Sequence, residues 1–305
     1  MRNRRLKVYP FDYLIIGYCL LMVFCCAAFG RPLSEYIDEI EFYVSVAAVS
    51  ALIIGFVDQT RSRFHLFVRL LYPAALFTLF YRVTGGTMFL IFDKFFDSHI
   101  VALETGIFGM EPTLFIDRYL LHPFWNELFS ACYFSYYLMI PGFLIPIFFM
   151  HRTRIIKESL TAISLTFFVS FIMFFLYPIE GPRWHLAGQY THTIDGSLFR
   201  QLVTTVINTA AVRGGCMPSS HVGVGLVILA YAFRVSRKLG WLLLPINIGL
   251  AIGTFWGRFH YVSDVIVGAL IAAISVWLVT KYYDRFDRPI VKNENLPLVS
   301  KTHVA

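Results

Sequence analysis

Eight long apolar runs separated by more polar connections limit what this chain can become. They lie at about 13–29, 42–57, 66–92, 124–150, 159–178, 220–237, 241–257 and 262–280. A helix needs roughly 20 apolar residues to cross the hydrocarbon core of a bilayer. Within lipid every backbone N–H and C=O must be bonded inside the protein, so runs of this length become helices. Composition agrees, with 57% hydrophobic residues, 15% charged and a mean hydropathy of +0.65. An ordinary soluble domain is about 25% charged. The expected fold is therefore all-α, a polytopic membrane helix bundle with about eight transmembrane helices. One membrane domain is expected over 1–280, followed by a polar cytoplasmic tail over 281–305.

The distribution of charge orients the bundle. "MRNRRLK" at the N-terminus, "DQTRSRFH" (58–65), "HRTRIIKE" (151–158), "RVSRK" (234–238) and "KYYDRFDR" (281–288) all fall on the same side of the expected spans. The first opposite loop, "RPLSEYIDEIE" (31–41), is acidic. The positive-inside rule places the five basic segments, and both termini, in the cytoplasm. The net charge of +7 thus reads as topology and gives no reason to expect a nucleic-acid partner. The first run follows basic residues as a signal peptide would, but its length and the seven runs after it favour a retained helix. Removing it would leave the other orientations unchanged.

The segment "DKFFDSHIVALETGIFGMEPTLFIDRYLLHP" (93–123) mixes apolar and charged residues with Gly and Pro, and reads as helices lying in the outer interface. Cys19, Cys25, Cys26 and Cys132 lie in spans as small buried hydrophobes, and Cys216 stands in a loop without an obvious partner. No metal-type cysteine spacing occurs.

Topology then gathers reactive groups. An outer loop over about 179–219 opens with "EGPRWH" and closes with "RGGCMPSSH", and the chain surfaces again at "GRFHYVSD" (257–264). Arg183, Ser219, Ser220, His221, Arg258, His260 and Asp264 therefore share one membrane boundary. Ionisable groups near a bilayer are costly and usually mark function. His260 and Asp264 are spaced i,i+4, within hydrogen-bonding reach on one helix face. A carboxylate on one imidazole nitrogen fixes the tautomer and frees the other nitrogen as nucleophile or base. The bland reading is an acid placed near a helix start. "PSSHVGVG" has the form of a helix N-terminus with Ser219 at its cap, where free N–H groups hold an anion. An ordinary serine cap is its bland counterpart. Arg183 could equally meet lipid headgroups, and His185 and His192 read as solvated.

Together, two histidines, an orienting acid, two arginines and an open helix N-terminus form a phosphoryl-transfer constellation. A serine hydrolase lacks its GxSxG elbow here, and no H-E-x-x-H occurs. Zinc held by His221, His260 and Asp264 is possible by count, but the neighbouring arginines would repel a dication. A transporter would place its ionisable or helix-breaking residues near the midplane in paired segments. Here they cluster at one boundary, and Pro141, Pro146 and Pro245 have no inverted counterparts.

At these residues the chain resembles the type 2 phosphatidic acid phosphatase superfamily of membrane phosphatases and lipid phosphotransferases. Its motifs run Lys-x6-Arg-Pro, Pro-Ser-Gly-His and Ser-Arg-x5-His-x3-Asp. "MPSSH" matches the second with Ser220 for Gly, and "HYVSD" matches the end of the third. The resemblance covers about 176–270. Thr254 stands where the third motif has Arg, Leu176 where the first has Lys, and Pro182 precedes Arg183 instead of following it. The "GPR" and "GRFHYVSD" wording looks more like the branch containing inositolphosphorylceramide synthases, in which reading Arg258 takes the place of the missing Arg.

The resemblance implies a six-helix core and a phosphohistidine on His260. Asp264 would orient that ring, His221 would protonate the leaving group, and Arg183, Ser219, Ser220 and Arg258 would hold phosphate. No metal or cofactor is implied. The function expected is a lipid-phosphate phosphatase acting at the extracytoplasmic face on a lipid phosphate or phospholipid. Transfer of a phospho-alcohol headgroup is the alternative.

Overall fold

The computed structural model describes residues 7–287. Among them twelve α-helices occur and no strand. Seven helical segments are long and apolar enough to cross a membrane: Pro10–Phe29 (α1), Leu33–Phe56 (α2, with its first turn 3-10), Arg63–Val83 (α3), Pro123–Phe149 (α6), Thr153–Leu176 (α7), Arg237–Trp256 (α11) and Val262–Phe286 (α12). Ser220–Val235 (α10), where the remaining span is expected, is apolar but shorter, at 16 residues. Asp97–Phe108 (α4) and Pro112–Tyr119 (α5) are too short to span. They still expose Leu103, Ile107, Phe108, Phe115 and Tyr119. Large apolar side chains such as Leu20, Phe24, Phe56, Leu242 and Trp277 also face outward from the spans. In water such a surface would be a liability. For an integral membrane protein it is the lipid contact.

Buried along most of its length, α7 is the axis of the bundle. Against it pack α1, α3, α10 and α12, while α11 bridges α10 to α6. Tyr18 of α1 stacks on Phe168 of α7 with ring centroids 4.4 Å apart. With little hydrophobic drive between helices in lipid, close packing through small residues takes over. At Gly268 of α12 a Cβ would lie 2.4 Å from the Ser219 carbonyl oxygen, so only glycine lets α12 approach the start of α10 this closely.

Three local departures from the sequence reading have plain causes. The third apolar run stops at Val83 rather than 92, because Gly85 and Gly86 follow and the chain turns there. A Cβ on Gly86 would collide with the Glu39 carboxylate of α2. The outer loop holds a one-turn helix, Pro182–His185 (α8), and an amphipathic helix, Leu198–Ala210 (α9). Leu198, Leu202, Val203, Val206, Ile207 and Ala210 recur at helical spacing on α9, the pattern of an apolar stripe. Finally, residues 281–286, assigned above to the tail, continue α12, and the tail beyond 287 lies outside the described residues.

Polar contacts sort to two ends. At one end Arg69 pairs with buried Asp12, Arg154 and Arg234 with Glu158, Arg154 also with Asp284, and Lys7 and Lys157 with Asp287. Segments read as basic loops meet there. Losing one partner of a buried pair such as Asp12–Arg69 costs about 3–5 kcal/mol, since the other charge is stranded. The opposite end holds α4, α5, α8 and α9, with His221 and His260.

Candidate active site

Ser219 caps α10, its Oγ accepting from the Val222 N–H at 3.5 Å, and His221 sits in the first turn. The Ser219 N–H in turn donates to the Asp264 carbonyl at 2.9 Å, tying the start of α10 to the start of α12. His260 precedes α12 and is buried, so it does not share a helix with Asp264 as the spacing suggested. The two still meet. Asp264 is the third residue of α12, and its Oδ2 accepts the Tyr261 N–H at 2.8 Å, folding the preceding residues back over it. His260 Nδ1 then lies 3.4 Å from Asp264 Oδ2.

A closer partner of that nitrogen was invisible in the sequence. His260 Nδ1 lies 2.8 Å from the carbonyl oxygen of Cys216. A carbonyl can only accept, so Nδ1 carries the proton and Nε2 keeps its lone pair. The Cys216 thiol donates to Asp264 Oδ2 at 2.9 Å. Burial, and then the neighbouring Asp264 charge, push that thiol well above its ordinary range. The Cys216, His260 and Asp264 donor atoms lie close enough together to ligate a metal, as do those of Asp97, Glu180 and His185. In the first group those atoms are engaged with one another, the thiol on Asp264 and the imidazole beside both.

The two histidine rings face each other edge to face, with centroids 5.8 Å apart. His221 packs on Tyr133 and Tyr136, its Nε2 lies 3.4 Å from the Tyr133 hydroxyl, and its buried Nδ1 has no partner among the described residues. Ser220 and His221 border an apolar cavity of about 470 Å³. Its walls come from α3, α6, α7 and α9, including Phe77, Tyr136, Phe167 and Ile207.

Arg183 and Arg258 border a second cavity, about 540 Å³, together with Tyr190, His192, Arg200 and Phe259. Arg183 donates to Asn208 of α9. Arg258 has its guanidinium 2.6 Å from Asp117, donates to the His192 carbonyl at 2.8 Å and lies over the Tyr190 ring. The structure thus gathers His221, His260, Asp264, Ser219 and Ser220, and places Arg183 and Arg258 on the second cavity. His221 borders the first cavity and Phe259, the residue before His260, borders the second.

Other residues of this end went unread in the sequence. Asp97 of α4 accepts the Glu180 and Gly181 N–H groups, each at 2.8 Å, and the Tyr261 hydroxyl at 3.0 Å. Glu104 accepts the N–H and hydroxyl of Ser263, each at 2.6 Å. Burial lifts the Glu104 carboxyl above its ordinary range. Burial also pushes Asp117 up, but hydrogen bonds from Thr191 and His192 and the Arg258 charge outweigh it and leave it below the carboxylate norm. Three buried carboxylates of the amphipathic segment therefore hold the loops that carry Arg183, Arg258 and His260.

The comparisons with known proteins follow this geometry. The family described as the PAP2 superfamily matches residues 98–278. The chain belongs to the PAP2 superfamily. It is also similar to a PA-phosphatase related-family protein of Dictyostelium discoideum, 22% identical over 209 residues, which is 61% of this chain and 37% of that relative. The chain thus spans well under half the length of that relative. No solved structure matches.

Proposed function

We propose that the protein is a membrane phosphatase that removes phosphate from a lipid phosphate through a phosphohistidine. His260 Nε2 attacks phosphorus, forming the N–P bond as the P–O bond to the lipid breaks. His221 delivers a proton to the departing alkoxide. Water then attacks the phosphohistidine, His221 takes its proton back, and phosphate leaves. The observation that carries this reading is the fixed tautomer of His260, with Nδ1 bound to the Cys216 carbonyl beside Asp264 and the His221 ring 5.8 Å away, centroid to centroid. Paired nucleophile and acid in this geometry suit acyl or phosphoryl transfer, and the arginines favour phosphorus. The apolar cavity at His221 suits a lipid tail.

The test is a purified protein assayed in excess EDTA. Phosphate release from a lipid phosphate, inhibited competitively by orthovanadate, is the expected result. Headgroup transfer from a phospholipid to an added alcohol, with no release from the lipid phosphate, would favour the transferase reading instead. Activity lost to EDTA and restored by zinc would overturn the metal-free chemistry.

The site faces away from the cytoplasm in this reading, supported by the basic segments gathered at the other end of the bundle. In a variant without native cysteines, a cysteine at exposed Thr193 is expected to react with an impermeant thiol reagent from outside, and one at exposed Ser236 is not. Reversed labelling would move the active site to the cytoplasmic face.

A further inference from the structure

The second cavity holds three guanidinium groups, and they are not equivalent. Arg258 is neutralised by Asp117, and that carboxylate is further tied to Thr191 and His192. Arg183 has a neutral partner, Asn208. Arg200, the third residue of α9, forms no ion pair among the described residues, and its buried Nη1 has no hydrogen-bond partner there. Its guanidinium carbon lies 5.6 Å from the ring centroid of Phe259, the residue before His260. Burial, and then the charges of Arg258 and Arg183, bring this guanidinium down to about 10, as expected of a cation crowded among cations. A buried donor left unmade is expensive unless a ligand completes it.

We infer that Arg200 grips the substrate's phosphoryl group together with Arg183, while Arg258 serves as a wall of the cavity. This rests on the reading of His260 as nucleophile. The cations of this cavity come from separate parts of the fold, Arg183 from α8 and Arg258 from the turn before α12. α9 supplies the third. The same helix turns Val206, Ile207 and Ala210 to the apolar cavity and Arg200 and Thr204 to the cationic one, so a lipid tail and its phosphate would lie on two sides of a single element. Neither Arg183 nor Arg200 has an ion-pair partner among the described residues, and two such cations match a phosphate monoester dianion better than a diester monoanion.

The experiment compares wild type, Arg200→Gln and Arg200→Lys on a lipid phosphate monoester, with orthovanadate inhibition and thermal midpoints alongside. Arg200→Gln is expected to lose about 10²- to 10³-fold in kcat/KM, the scale of one lost anion-stabilising donor. Its vanadate inhibition constant should rise while its midpoint stays put. Arg200→Lys should recover only part, since a point ammonium lacks the planar fork. In any diester headgroup transfer the loss should be smaller. A wild type that forms a phosphoprotein beside an Arg200→Gln variant within threefold of it in both kcat/KM and vanadate inhibition overturns this inference alone. If Arg200→Gln does not fold, an Arg200→Lys variant indistinguishable from wild type in both measures does the same. A wild type that forms no phosphoprotein overturns the nucleophile reading and this inference with it.

Discussion

His260→Ala is expected to abolish turnover and, with it, the covalent phosphoprotein. Removing the nucleophile of a catalytic unit lowers kcat by roughly 10⁴- to 10⁶-fold. The label distinguishes this from a general loss of structure. Wild type incubated with phosphorus-labelled lipid phosphate and quenched should carry an acid-labile, alkali-stable phosphate, and His260→Ala should carry none at an unchanged thermal midpoint. Near-normal turnover in the variant would sink the mechanism. Folding should survive, because the variant gives up only the His260 Nδ1 contacts to Cys216 and Asp264, while the Asp264 carboxylate keeps its bonds to Tyr261 and the Cys216 thiol.

His221→Ala carries the second large effect, and the leaving group decides its size. General acid catalysis contributes about 10²- to 10⁴-fold, and an alkoxide departs badly without a proton. The variant should fall by that factor on a lipid phosphate. On p-nitrophenyl phosphate, whose phenolate leaves unaided, it should lose far less. Equal losses on both substrates would remove His221 from the acid role. The double variant His221→Ala, His260→Ala should be little worse than His260→Ala, as for residues that act as one unit.

Hydropathy carried most of the architecture into the sequence, since lipid leaves a backbone few alternatives. Ser219, Ser220, His221, His260 and Asp264 could be placed together from the sequence because they come in short segments at one end of the bundle, although His260 lies before the helix that its spacing to Asp264 suggested. Arg200 was not. It sits on a helix whose apolar stripe was read as part of an outer loop, and an arginine there looks like any solvated arginine. Asp97, Glu104 and Asp117 were hidden differently. Their partners lie 83, 159 and 74 residues away at Glu180, Ser263 and Thr191, and no local spacing encodes such a meeting. The Cys216 carbonyl is further out of reach, because every residue type carries one.

Those three carboxylates bear on what counts as the catalytic unit. A chain trimmed to 176–270 would keep every histidine and arginine assigned to the proposed reaction and lose Asp97, Glu104 and Asp117. The N–H groups of Glu180 and Gly181, the Tyr261 hydroxyl and the Ser263 backbone would then have to find water, and Arg258 would lose its counter-charge. The reactive atoms would be present without a frame to hold them. The smallest piece able to do the proposed chemistry therefore begins upstream of Asp97, well outside the stretch where the motifs are written.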